Sequence, residues 1–166
     1  MAVMRGVTVY ATCALWIASG CAEATPRTQV MLVIDAEPAV ARDARVLYVH
    51  VLGGLEGQPT TTYASRYVRT HPEPAFPFRV AMVPLELEPA RGWLVTVETR
   101  DEDGTARTRS TLRGGYAPER TKRLDLQIDD ACASVLCEGQ RCERGACVDG
   151  LVHAPSLPDL VLDAGL

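Results

Sequence analysis

Four cysteines recur at intervals of five near the C-terminal end of the chain: Cys132, Cys137, Cys142 and Cys147. Sulfur in that arrangement supports two chemistries, pairwise oxidation to disulfides or tetrahedral thiolate binding of zinc. Zinc ribbons usually place two residues between the members of a ligand pair, and the gaps here are longer. The histidines His50, His71 and His153 are scattered, and none belongs to an HExxH motif. There is no GxSxG elbow and no P-loop. Gly53-Gly54-Leu55-Glu56-Gly57 lacks the dinucleotide spacing and reads as a loop. Asp101-Glu102-Asp103-Gly104 gathers carboxylates without the spaced ligands of a calcium loop. Arg107, Arg109 and Arg113 alternate on one strand-like run, but no aromatic side chains are interleaved for base stacking. Asp125, Asp129 and Asp130 read as solvated charges at a strand end. No catalytic set, cofactor or metal site is expected.

Composition narrows the classes further. The chain has 166 residues, 47% hydrophobic and 23% charged, with a formal charge of −4. That fits one small domain with accessory segments and excludes a collagen-like or wholly disordered chain. The acidic balance disfavours sequence-independent nucleic-acid binding. Sixteen of the seventeen basic residues are Arg, the other is Lys122, and Asn is absent. This skew is the mark of a GC-rich genome, so Arg clusters carry less functional weight. The lack of Asn removes any N-glycosylation acceptor.

Arg5 precedes an apolar run from Gly6 to Ala18, and small residues follow. This is the layout of a secretory signal peptide, too short for a membrane-spanning helix of about 20 residues. Ala18-Ser19-Gly20-Cys21 resembles the lipobox of bacterial lipoproteins, with Ala18 in place of the commoner Leu. The resemblance covers residues 1–21. It implies removal of residues 1–20 and acylation of Cys21 by diacylglyceryl and fatty-acyl groups such as palmitate. Two or three chains hold a protein stably, at roughly 0.8 kcal/mol per buried CH₂. Ala22 after the lipidated Cys implies the outer membrane of a bacterial cell envelope. Residues 21–27 form a tether. The mature charge becomes −5, because Arg5 leaves and all 21 acids remain.

Residues 28–129 carry the pattern of an all-β fold. Strand-like runs occur at Gln29–Ile34, Arg45–Leu52, Thr60–Thr70, Phe76–Val83, Trp93–Arg100, Thr105–Arg113 and Thr121–Asp129. Phe76, Phe78, Val80 and Met82 share one face of the fourth run. Trp93, Val95, Val97 and Thr99 share one face of the fifth, and Leu124, Leu126 and Ile128 one face of the last. Pro38–Arg42 invites a short helical turn with Pro at its start. The spacing predicts a single antiparallel β-sandwich of about seven strands. Asp103-Gly104 predicts a two-residue type I′ hairpin. Its register pairs Val95 with Leu112, Val97 with Ser110 and Thr99 with Thr108 inside. Outside it pairs Glu98 with Arg109 and Arg100 with Arg107 on a solvated face. The pattern resembles an immunoglobulin-like or fibronectin type III-like sandwich, without the immunoglobulin Cys pair and strand-C Trp. A transthyretin-like sandwich is the nearest alternative. Trp93 is the expected core anchor.

A Cys-rich module spans 130–150. With Cys13 lost in the signal and Cys21 lipidated, four cysteines remain, and export favours two disulfides. The spacing alone leaves three pairings open. Gly139 and Gly145 allow tight turns, and the module resembles the Cys-rich knots of epidermal-growth-factor-like domains. That resemblance implies Cys132–Cys142 and Cys137–Cys147. Residues 151–166 read as an extended or disordered tail, with Leu160-Val161-Leu162 able to dock.

The function expected is a non-catalytic, membrane-anchored envelope lipoprotein, structural or binding a protein or glycan. Two alternatives differ in class. One is an accessory subunit or small hydrolase with a site at His50 or His71. The other is an extracytoplasmic metal carrier using the Cys module.

Overall fold

A computed structural model describes residues 27–55, 58–70, 76–84 and 91–160. Seven strands form the body: β1 (Gln29–Ala36), β2 (Val46–Leu55), β3 (Gln58–Thr70), β4 (Phe78–Met82), β5 (Arg91–Arg100), β6 (Ala106–Gly115) and β7 (Thr121–Ile128). Each follows an expected run, because period-2 alternation leaves one apolar face to bury. On β5, Trp93, Val95, Val97 and Thr99 are all buried, and on β7 so are Leu124, Leu126 and Ile128. The helical turn α1 (Pro38–Asp43) opens with Pro as expected.

The strands divide into two sheets. One has the order β4-β1-β7 and the other β3-β2-β5-β6. The pairs are antiparallel except that β1 and β7, the first and last strands, run parallel. The first sheet is therefore mixed, which hairpin-by-hairpin reasoning does not foresee. The constant-type immunoglobulin order puts the first, second, fifth and fourth strands in one sheet. Here the first strand lies apart from the second and fifth, so the sheet order differs from the constant-type one. The facing surfaces meet in one core that includes Leu32, Ile34, Leu47, Val49, Val95 and Leu112. Trp93 is 1% exposed, and its indole N–H donates to the Gly115 carbonyl at 2.8 Å.

The β5–β6 hairpin corrects one local expectation. Val95, Val97, Glu98 and Thr99 face Leu112, Ser110, Arg109 and Thr108 as the register requires. The loop, however, is not a two-residue type I′ turn. The Gly104 N–H donates to the Asp101 carbonyl and the Asp101 N–H to the Thr105 carbonyl, both at 3.1 Å, which closes a three-residue loop with Gly104 at φ +79°. Arg100 then faces Ala106, and a bulge between Thr99 and Arg100 restores the inner register. The bulge also parts the like charges Arg100 and Arg107, which would have stood opposite each other.

The C-terminal segment adds β8 (Arg141–Glu143), β9 (Ala146–Val148) and β10 (Leu151–Val152). Its disulfides are Cys132–Cys142 and Cys137–Cys147, the pairing the epidermal-growth-factor-like resemblance implied. The segment lies along the seam where both sheets have an edge. Residues 135–137 and 150–152 run parallel to β6, as one strand interrupted by the β8–β9 hairpin. Arg109 exchanges two backbone bonds with this strap: its N–H donates to the Val135 carbonyl and its carbonyl accepts from the Cys137 N–H, each 3.1 Å. The Arg113 N–H donates to the Gly150 carbonyl at 2.9 Å. Farther on, Leu160 donates to the Thr121 carbonyl and Arg123 to the Pro158 carbonyl, at 2.8 and 2.9 Å, on the free edge of β7. The tail to Leu160 is thus extended and docked rather than disordered, because exposed strand edges hold unpaired backbone groups that it satisfies. Val161 and Leu162 lie outside the described residues.

Asp129 and Asp130 also depart from the solvated-charge reading. The Asp130 carboxylate accepts the N–H groups of Ala39 and Val40 at the start of α1, at 2.9 and 3.2 Å. The Asp129 carboxylate accepts from Cys132 at 2.9 Å and Arg144 at 2.8 Å. Both carboxylates spend acceptor oxygens on backbone N–H groups at the starts of short helical turns and in the segment beyond.

Candidate binding face

The outward positions of β5 alternate with its buried ones, so Leu94, Thr96, Glu98 and Arg100 face away from the core. Cross-strand register completes two rows. Tyr48, Glu98 and Arg109 form one, and His50, Thr96 and Thr111 the other. These rows floor an open groove of about 640 Å³, and Glu138 and Gly139 of the C-terminal segment line it from the β6 side.

Glu98 is the centre of this face. It is 6% exposed, although alternation had assigned it to a solvated surface. Arginine side chains fold over it from two directions. Arg100 Nε donates to Glu98 Oε1 at 2.5 Å, and Arg109 donates to Oε2 through Nε and Nη2 at 2.9 and 2.7 Å. Arg109 also donates through Nη1 to Glu138, which ties the C-terminal segment to the sheet. The Arg100 guanidinium lies 4.5 Å from the centre of the Tyr48 ring, a cation–π distance. The Thr96 and Thr111 hydroxyls are 3.3 Å apart.

Burial pushes the Glu98 carboxyl up, but hydrogen bonds from Arg109 and Arg100, with their charges, outweigh it and hold the carboxyl below its ordinary value. The Glu98 hydrogen bond raises Arg109 in turn, against an opposing effect of burial. Among the described residues, the groove therefore holds a mutually compensated set of charges. A carboxylate so held is a weak proton donor at neutral pH. What the lining offers is an aromatic edge, two paired hydroxyls, an exposed imidazole and oriented guanidinium groups.

The remaining candidates are placed as follows. His50 is exposed at the groove, and among the described residues no carboxylate or serine hydroxyl hydrogen-bonds to it. His153 caps the 3-10 turn Ala154–Ser156 through its backbone carbonyl, which accepts from Ser156. His71 and Cys21 lie outside the described residues. All four cysteines of the module are paired, so none offers a thiolate for a carried metal. In the Asp101–Gly104 turn, the Asp101 carboxylate takes the Thr105 N–H at 2.9 Å and Arg107 Nε at 2.8 Å, which explains that acid without calcium. Arg107 pairs with Asp101, Arg109 with Glu98 and Arg113 with Asp149, so the Arg run is neutralised one residue at a time. Glu138 joins the site through docking of the module on β6, for which its local sequence gives no signal. Comparison with known protein families, curated proteins and solved structures returned no match.

Proposed function

We propose that this chain is a non-catalytic, lipid-anchored envelope protein that recognises another envelope component, protein or glycan, through the outer face of its larger sheet. The observation that carries the reading is the groove around Glu98, whose described lining combines the Tyr48 ring, hydroxyls and charges that already neutralise one another. Preset donors and acceptors of this kind suit recognition, because little side-chain order remains to be lost on binding. The anchor rests on the signal-like run and on Cys21. Among the described residues no helix is long and apolar enough to cross a membrane. The sheet order, with β1 and β7 parallel in one sheet, favours the transthyretin-like alternative over the immunoglobulin-like one.

Two measurements test this reading separately. Globomycin, an inhibitor of signal peptidase II, should make the unprocessed precursor accumulate, and Cys21→Ala should release the protein from membranes. Processing unaffected by either removes the lipid anchor. Affinity capture from envelope extracts should retain a component that Thr96→Trp, which fills the groove floor, fails to retain. Equal capture by both proteins removes the groove as the binding face.

A further inference from the structure

We propose that Cys137–Cys147 is a thiol–disulfide exchange site, and that a dithiol opening it frees one wall of the groove while Cys132–Cys142 keeps the fold closed. The two bonds differ in their surroundings. Cys132 and Cys142 are 0% and 4% exposed and belong to the core of the sandwich. Cys137 is equally buried, but its partner Cys147 is exposed on β9. An attacking thiolate must reach a sulfur, and of the four bonded cysteines Cys147 alone is an exposed residue. The new bond joins the attacking sulfur to Cys147 Sγ. The Cys137–Cys147 bond breaks, and Cys137 leaves as a thiolate that takes a proton from water. The second thiol of the dithiol then displaces Cys147, leaving two protein thiols and the oxidised dithiol.

The consequence follows from where Cys137 sits. Its N–H holds the strap to the Arg109 carbonyl, and the next two residues, Glu138 and Gly139, line the groove. This stretch is pinned covalently at both ends, at Cys137 and at Cys142. Between the pins it is held by the Thr111 N–H to the Gln140 carbonyl, 2.7 Å, and by the Glu138–Arg109 pair. The Glu138 side chain is 81% exposed, and ion pairs that open to water hold little. With the outer pin cut, the wall is left on weak contacts. The exchange itself is independent of the proposed ligand, and only its effect on binding rests on that reading.

Graded dithiothreitol treatment of the oxidised full chain, followed by alkylation and peptide mass spectrometry, tests the chemistry. Cys137 and Cys147 should become alkylated together while Cys132 and Cys142 stay bonded and Trp93 emission stays native. Simultaneous loss of both bonds, or earlier loss of the inner one, overturns the proposal. Hydrogen exchange at the Thr111 amide tests the opened wall, in the partly reduced protein and in a Cys137→Ala/Cys147→Ala variant. The bond spans a sequence separation of 10, and loop-closure entropy for that length gives exchange on the order of a hundredfold faster. Unchanged exchange in the partly reduced protein overturns the release of the wall, whether or not the variant folds.

Discussion

Replacing Glu98 with Gln removes the charge on which two guanidinium groups converge. Three N–H donors reach its oxygens, at 2.5, 2.9 and 2.7 Å. A hydrogen bond to a charged group contributes about 1.5–3 kcal/mol, and stranding the partner of a fully buried ion pair costs about 3–5 kcal/mol. Two features lower the figure. The Arg100 and Arg109 side chains remain 37% and 27% exposed, so water takes up part of their charge, and Gln keeps one acceptor oxygen. The expected loss is about 2 kcal/mol at pH 7. The sign of its pH dependence follows from the lowered carboxyl. A depressed pKa contributes stability that is complete above the unfolded-state value, near 4.5, and is lost as pH falls through the folded value. The gap between wild type and Glu98→Gln should therefore be widest at neutral pH and close as the pH drops below that of an ordinary Glu. Urea unfolding followed by Trp93 emission, repeated from neutral to acid pH, measures both quantities. A gap under about 0.5 kcal/mol at pH 7, the usual scale of a solvated surface substitution, would show that Glu98 is not held as described. So would a gap that stays constant with pH.

Two further substitutions probe how the C-terminal segment is fastened. A Cβ at residue 150 would overlap the Thr111 carbonyl oxygen, so Gly150→Ala must lift the strap from β6 and break the Arg113–Gly150 hydrogen bond. The expected cost is about 1–3 kcal/mol, read as a lower urea midpoint and faster hydrogen exchange at the Arg113 amide. Asp130→Ala uncovers two N–H groups at the start of α1 and should cost about 1 kcal/mol. An unchanged urea midpoint would show that the cap contributes nothing.

Several elements were legible because their signals are local. Alternation on β5 and β7 marks which residues face inward whatever sheet they join. The β5–β6 pairing from Val95 to Thr99 was legible for the same reason, since matched polarity on both strands fixes parity. The turn was misread because Asp-Gly serves both a two-residue loop and a three-residue loop with glycine at its left-handed position. The added bulge compensates for the longer loop, so the inner pairs do not distinguish the two. The candidate site was far less legible. Glu98 next to Arg109 reads as a solvated ion pair along the chain. Arg100 and Arg109 converge on Glu98, and Arg109 is held in turn by Glu138, which lies 29 residues away in the chain.

What the sequence determined by itself is the strand content, the inward faces, the short helical turn and the even set of cysteines that an exported chain would oxidise. These depend on side-chain period and composition, which act over a few residues. Only the tertiary structure decided that β1 and β7 lie side by side, that residues 135–160 fasten the edges of both sheets, and that one glutamate is buried beneath two arginines. Each of those outcomes depends on which of several compatible edges finds its partner. That choice is made by the shared core and by satisfying backbone groups far apart in the chain.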